Sequence, residues 1–142
     1  MFSKQEAQEL KREFWTSFGK SFPRKWILYN TKIKDFNFKF SADNKSAEVS
    51  LNIEMDDELF RNAYFEKMQS LENILLENLG EFHIDEHFYL DNRKKISKIW
   101  VKLDNVSIFN KNSWQDIFQF FITKMSAFEK IFIDFEDFIK NI

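Results

Sequence analysis

The sequence predicts an α+β domain: helix, three strands, helix, two strands, and a long C-terminal helix, with a largely antiparallel sheet, in a single globular domain over residues 1–142. Apolar residues recur at helical spacing in three stretches. In two other regions they alternate with polar residues, and each of those regions is broken by a turn-rich tetrapeptide. Helices and a sheet that each carry one apolar face pack most simply as two layers around one core.

The first helix starts at Ser3-Lys4-Gln5-Glu6, which reads as a capping box: the Ser3 hydroxyl accepts the Glu6 N–H while the Glu6 side chain reaches back. Ala7, Leu10, Phe14 and Phe18 give it one apolar stripe, ending between Gly19 and Pro23. Beyond Pro23, Trp26-Ile27-Leu28-Tyr29 reads as a short buried strand. Phe36, Phe38 and Phe40 alternate with polar residues, as do Ala47, Val49, Leu51 and Ile53, so two strands flank the turn Ala42-Asp43-Asn44-Lys45. Asp56-Asp57-Glu58 supplies acids where a helix N-terminus attracts them, and Phe60, Ala63, Tyr64, Met68, Leu71, Leu75 and Leu79 carry one helix to Gly80. A second hairpin pairs Phe82–Leu90 with Ile99–Leu103 around Asp91-Asn92-Arg93-Lys94. Ser113-Trp114-Gln115-Asp116 caps the closing helix, whose stripe runs from Ile117 to Ile142. Phe14, Phe18, Phe38, Val49, Leu51, Met68, Leu71, Phe121 and Phe128 are expected to share one core.

The scarce residues exclude whole classes of chemistry. With no Cys there is no disulfide, thiol nucleophile, thiolate zinc site or iron–sulfur cluster, and a reducing compartment fits best. Gly19 and Gly80 are the only glycines, so neither a dinucleotide-binding turn nor a Walker loop can be written. Met1-Phe2-Ser3-Lys4-Gln5-Glu6 lacks the pattern of a signal peptide, and no apolar run reaches membrane length, so a cytoplasmic protein with no membrane partner is expected. The 19 Phe and 4 Trp imply a Phe-rich core and more apolar surface than a small domain hides, which favours a homodimer or a protein partner. The closing helix is the expected interface, because Phe118, Phe120, Ile122, Ile131 and Ile133 lie off its main stripe.

The net charge of −2 conceals a gradient. Met1–Lys45 carries ten basic and five acidic side chains, a net of +5, whereas the remainder carries eleven and eighteen, a net of −7. The basic third is the candidate nucleic-acid surface: Lys11, Arg12, Arg24, Lys25, Lys32 and Lys34, joined by Lys4 and Lys20, interleave with Trp15, Trp26 and Tyr29. Bases stack on exposed aromatics while Lys and Arg take phosphates. The acidic remainder repels phosphate, so the expected binding is weak and salt-sensitive.

Several segments are similar to a known family: Phe2-Ser3-Lys4, Glu13-Phe14-Trp15-Thr16-Ser17-Phe18-Gly19, Ile33-Lys34-Asp35-Phe36, Tyr64-Phe65-Glu66 and Val106-Ser107-Ile108-Phe109-Asn110-Lys111. Together they resemble the bacterial domain of unknown function 4268 family in its standalone form, over nearly the whole chain. The resemblance brings no activity and no catalytic residue. In longer relatives a similar domain follows a restriction-endonuclease-like domain, which implies business with nucleic acid.

Two constellations could carry metal chemistry. His83-Ile84-Asp85-Glu86-His87 fits the His-x-x-Glu-His of inverted zinc peptidases, but the surrounding alternation makes it a strand. Its two imidazoles then lie ~13 Å apart, too far for one ion. The opening order of elements also matches the core order of restriction-endonuclease-like folds. There Asp35 would stand for one magnesium-binding acid and Glu48 or Glu54 for the next, and Asp35, Glu54 and Asp56 are the candidate ligands. The lysine that such a site needs is missing, since Ser50 follows Glu48 and Asp56 follows Glu54 at that spacing. No serine lies in a nucleophile elbow, so no catalytic residue is assigned, and no cofactor is expected. The expected function is a small cytoplasmic non-enzymatic interaction module, nucleic-acid-associated in its most specific form. The alternative is a metal-dependent or degenerate restriction-endonuclease-like nuclease relative.

Overall fold

In the computed structural model, which describes residues 2–142, the chain folds as α1 (Lys4–Ser21), β1 (Phe36–Ala42), β2 (Ser46–Ile53), α2 (Glu58–Ser70), α3 (Glu72–Leu79), β3 (His83–Tyr89), β4 (Lys95–Asp104), α4 (Lys111–Asp134) and α5 (Glu136–Lys140). It is an α+β protein with one four-stranded antiparallel sheet in the order β1-β2-β4-β3. The expected order of elements holds with local differences: residues 26–29 form no strand, the helices expected to run unbroken to Gly80 and to Ile142 break at Leu71 and Phe135, and the last long helix starts at Lys111 with Asn110, not Ser113, as its cap.

The capping box forms as read: Glu6 N–H donates to Ser3 Oγ at 3.1 Å and Ser3 N–H donates to Glu6 Oε1 at 3.2 Å. α1 then buries Phe14 and Phe18. Trp26-Ile27-Leu28-Tyr29, expected as a strand, is instead part of the loop between α1 and β1, with a turn at Leu28-Tyr29. Leu28 and Lys32 take positive φ angles of 47° and 67°, which no strand sustains. The loop runs along the outer edge of β1, where Phe38 N–H donates to the Leu28 carbonyl at 3.1 Å and Thr31 Oγ1 donates to the Phe36 carbonyl at 2.8 Å. A short apolar run is consistent with a strand but equally with a loop pressed onto the margin of a core.

β1 and β2 form a hairpin whose turn is held by Asp43: its Oδ1 accepts the N–H groups of Lys45 at 2.8 Å and Ser46 at 2.9 Å. Asp57 caps α2, and the buried Arg61 donates to the Met55 carbonyl at 2.8 Å. The helix expected to run unbroken to Gly80 is broken at Leu71, which separates α2 from α3. Ser70 Oγ donates back to the Lys67 carbonyl at 2.6 Å, a local bond that competes with the helical ladder. Phe65, Met68, Leu71, Leu75 and Leu79 stay buried on both sides of the break, so the hydrophobic period gives no sign of it.

β4 joins the two hairpins by pairing with β2 from Ser46↔Asp104 to Ile53↔Ser97. The β3–β4 ladder carries an irregularity between Asp85 and Phe88, where Ser97 Oγ donates to the Glu86 carbonyl at 2.8 Å. All the helices lie against one face of the sheet. The apolar sides of β1, β2 and β4 share a single core cluster with every expected core residue. Phe121 sits at its aromatic centre, with ring centroids 5.3 Å from Phe18, 4.8 Å from Phe40 and 5.7 Å from Trp15.

α4 is the central helix of that layer, and this changes the account of its off-stripe apolar residues. α1 covers one flank through Phe14 and Phe18 against Phe118, and α3 covers the other, where Lys124 Nζ donates to the Leu79 carbonyl at 2.7 Å. Phe118 and Ile131 are therefore buried within the chain, and Phe120 and Ile122 pack against the core. Of the five, only Ile133 is exposed.

Candidate binding face of the sheet

Strand geometry sends alternate side chains to opposite faces, so the residues between the core positions form a second, helix-free surface. Reading across the ladder, one row is Asn37, Asn52, Lys98 and Asp85, and the next is Lys39, Ser50, Trp100 and His83. Glu48 and Lys102 continue the face toward the β1–β2 turn. Adjacent strands lie about 4.8 Å apart, so the second row spans ~14 Å from His83 to Lys39.

The β3–β4 half of this face is aromatic. The His83 imidazole stacks on the Trp100 indole with centroids 5.2 Å apart and an interplanar angle of 26°, and Phe88 meets Trp100 edge-on at 5.5 Å. The Lys98 ammonium sits 4.3 Å from the Phe88 centroid and 4.7 Å from that of Trp100, and it pairs with Glu48 at 3.1 Å. These contacts explain how this lysine is only 9% exposed: its ammonium lies against two rings and is paired with Glu48. The β1 half is polar. Glu54 accepts from Asn37 Nδ2 at 3.2 Å and pairs with Lys39 at 3.4 Å.

The candidate metal ligands do not converge. Asp35 adopts a φ of 63° at the end of the loop and touches Glu54 through the backbone, its carbonyl accepting the Glu54 N–H at 2.7 Å. The Glu54 carboxylate is committed to Asn37 and Lys39, while Asp56 is exposed before α2, 3.8 Å from Lys94. Among the described residues no group of three or more His, Asp or Glu side chains could hold a metal ion. His83 and His87 lie on β3, as the alternation implied, with His83 on Trp100 and His87 4.0 Å from Glu86.

The candidate nucleic-acid residues fall into two groups. Lys11 and Arg12 lie on the exposed side of α1 in the helical layer. Arg24, Lys25, Lys32 and Lys34 lie in the loop beside β1. Within that loop Arg24 is committed to the buried Glu129 of α4, to Ser126 and to the Trp26 ring, 4.0 Å beneath it. Lys25, Lys32 and Lys34 are exposed and, among the described residues, join no ion pair. Trp15 stacks on Phe121 and Trp26 packs edge-on against Phe40, so both rings serve the fold. The sheet's own aromatic group was not singled out from the sequence, because it depends on the β3–β4 register that sets His83 opposite Trp100 and on the irregularity between Asp85 and Phe88.

A family model described as Domain of unknown function (DUF4268) matches residues 10–136. The chain belongs to this family. No curated protein and no solved structure matches it. The DUF4268 region contains the whole sheet and the open face described above, and it contains every segment that carried the resemblance except Phe2-Ser3-Lys4. Among the described residues, no helix of this DUF4268 protein is long and apolar enough to cross a membrane.

Proposed function

We propose that this DUF4268 protein is a non-enzymatic module that binds single-stranded nucleic acid across the open face of its sheet. The observation that carries the reading is the His83–Trp100–Phe88 aromatic group beside Lys98, on the face of the four-stranded antiparallel sheet opposite the core into which the helices pack. Aromatic rings on such a face accept bases by stacking, whatever the base, and lysines around them take the phosphates. Lys39 stands on the face at the β1 end and Lys102 on β4, and the exposed Lys25, Lys32 and Lys34 belong to the loop that precedes β1.

The face carries Glu48, Glu54 and Asp85 among its cations, and the chain is acidic overall, so few phosphates are neutralised and binding is steeply salt-dependent at modest affinity. Recognition, rather than reaction, fits the chemistry of the face: Glu48 and Glu54 are each held by a lysine. Fluorescence anisotropy with labelled single-stranded oligonucleotides tests the reading. Binding is expected at low salt, weakened near physiological salt, and reduced about tenfold by Trp100→Ala, in line with the worth of one stacked base. Absence of binding at low salt, or binding indifferent to Trp100→Ala, would overturn it.

A further inference from the structure

We propose that the free stretch of the β1 edge takes an extended acidic peptide by strand addition, with the peptide's apolar side chains seated in a groove beside Trp15, Leu28 and Tyr29. The hairpin register fixes which backbone groups are free. Glu54 N–H donates to the Asp35 carbonyl at 2.7 Å and Asp43 N–H donates to the Ser46 carbonyl at 2.9 Å, so the odd-numbered residues of β1 bond to β2. The backbone groups of Phe36, Phe38, Phe40 and Ala42 therefore point away from the sheet. The loop before β1 satisfies the first of them: Phe36 N–H donates to the Ile33 carbonyl at 3.3 Å, the Phe36 carbonyl accepts from Thr31 Oγ1, and Phe38 N–H donates to the Leu28 carbonyl. Beyond that point the edge is bare. The Phe38 carbonyl, both backbone groups of Phe40 and the Ala42 N–H have no partner among the described residues.

Beside these groups lies a groove of about 430 Å³ lined by Trp15, Leu28, Tyr29 and residues 37–40. One face of a strand presents alternate residues, so a groove lined by four in succession lies along the strand's edge. Tyr29 is 77% exposed, and Trp15 and Leu28 are partly exposed, so the apolar wall is open to a ligand. Unpaired edges capture other chains through main-chain hydrogen bonds, and alternating N–H and C=O groups match a peptide, not a phosphodiester. Charge selects the peptide. Lys39 is exposed on β1, the exposed Lys32 and Lys34 flank Ile33 at the start of the edge, and Lys11 lies one turn from Trp15 on α1. Glu54 is already held by Asn37 and Lys39. A second copy laid edge to edge would bring the same lysines with it, whereas an acidic strand neutralises them. Added residues level with Phe38 and Phe40 point to the core side, and those between them point to the side of Lys39, so the fitting segment alternates apolar and acidic residues.

The test is fluorescence anisotropy with a labelled peptide, Glu-Leu-Glu-Val-Glu-Leu-Glu, and two N-methylated forms, one blocked at the Leu and Val amides and the other at the Glu amides. The parent peptide is expected to bind, and one methylated form to bind about tenfold more weakly than the other, because only alternate amides of an added strand face β1. Tyr29→Ala, at an exposed position, is expected to weaken the parent peptide about fivefold with an unchanged melting temperature, and a peptide with Lys in place of every Glu is expected not to bind. No binding at about 1 mM peptide, equal binding of the two methylated forms, or equal binding of the lysine peptide would overturn the proposal. A dimer of the protein alone that Tyr29→Ala dissociates in light scattering would overturn it by giving the edge to a second copy. Binding of hexathymidylate that Tyr29→Ala weakens as much as it weakens the peptide would overturn it by giving the groove to nucleic acid.

Discussion

The Arg24 guanidinium pairs with the carboxylate of Glu129, which is buried in the C-terminal part of α4. The other Glu129 oxygen accepts the Ile27 N–H at 2.7 Å, and Arg24 itself lies over Trp26 at 4.0 Å. One acid thus fastens the first part of the loop, Arg24 to Ile27, to α4. The cation, half exposed, is what keeps that acid from being a lone buried charge.

Arg24→Ala is therefore expected to destabilise the protein by about 2–4 kcal/mol, since removing one partner strands a buried charge, whereas Lys25→Ala next door should stay within about 0.5 kcal/mol. Urea midpoints for the two variants check this. Equal midpoints would mean that the loop is not anchored through Glu129.

Phe121 and Phe38 are expected to behave as core positions of different size of neighbourhood. Phe121 touches four other aromatic rings of α1 and β1, namely Phe14, Trp15, Phe18 and Phe40, while Phe38 meets Phe36, Phe128 and Phe132. Truncation of either to Ala should cost about 3–5 kcal/mol. Unchanged denaturation midpoints in both variants would contradict the shared core.

That core was legible because it is written locally: 3.6-residue spacing in the helices and two-residue alternation in the strands each name the buried side without any knowledge of partners. The breaks were not. Leu71 interrupts a helix whose apolar stripe runs in phase through it, and the signal for the break is the Ser70 hydroxyl on the Lys67 carbonyl, a contact that periodicity does not record. Trp26–Tyr29 misleads for the opposite reason: its apolar content reports burial at the edge of β1, not the conformation that achieves it. The face of the sheet was visible one strand at a time as the polar half of each alternation. Its chemistry depends on Trp100 lying opposite Ser50 and His83 opposite Trp100, and that long-range register belongs to the tertiary fold.

Divalent metal is expected to leave stability unaltered. Asp35, Glu54 and Asp56 do not share a site, and Glu54 already has Asn37 and Lys39. Melting temperatures with millimolar Mg²⁺ or Mn²⁺ should match those with chelator. A rise that Glu54→Ala abolishes would restore weight to a nuclease-like metal centre.

Asp43 sets an acid limit on the β1–β2 turn. Partial burial alone would raise its pKa, but N–H donation from Lys45 and Ser46, with the charges of Lys102 and Lys45, outweighs this and leaves the carboxyl below its ordinary value. A lowered native pKa means that the carboxylate stabilises the fold above its unfolded pKa of about 3.9, and that this contribution disappears as pH falls through the native value. Asp43→Asn keeps an acceptor oxygen but cannot titrate. The stability difference between the parent and Asp43→Asn should be constant above about pH 5 and shrink below about pH 4. A difference that grows on acidification would reverse the sign of the argument.

Lys98 allows charge and packing to be separated on the open face. Its ammonium neutralises Glu48, and it also fills the space between Phe88 and Trp100. Lys98→Met retains an unbranched stem of comparable length but leaves Glu48 without its cation, on a face where Glu48 is only partly in water. A cost of about 1 kcal/mol is expected, above that of a fully exposed pair because both partners are shielded. Lys98→Ala should cost more, since it also removes most of a side chain that is 9% exposed. Glu48→Gln in the Lys98→Met background should recover part of the loss, because no lone charge remains on the sheet. Chemical denaturation of the single and double variants gives the coupling directly, and strict additivity of Lys98→Met and Glu48→Gln would show that the 3.1 Å contact contributes nothing to stability.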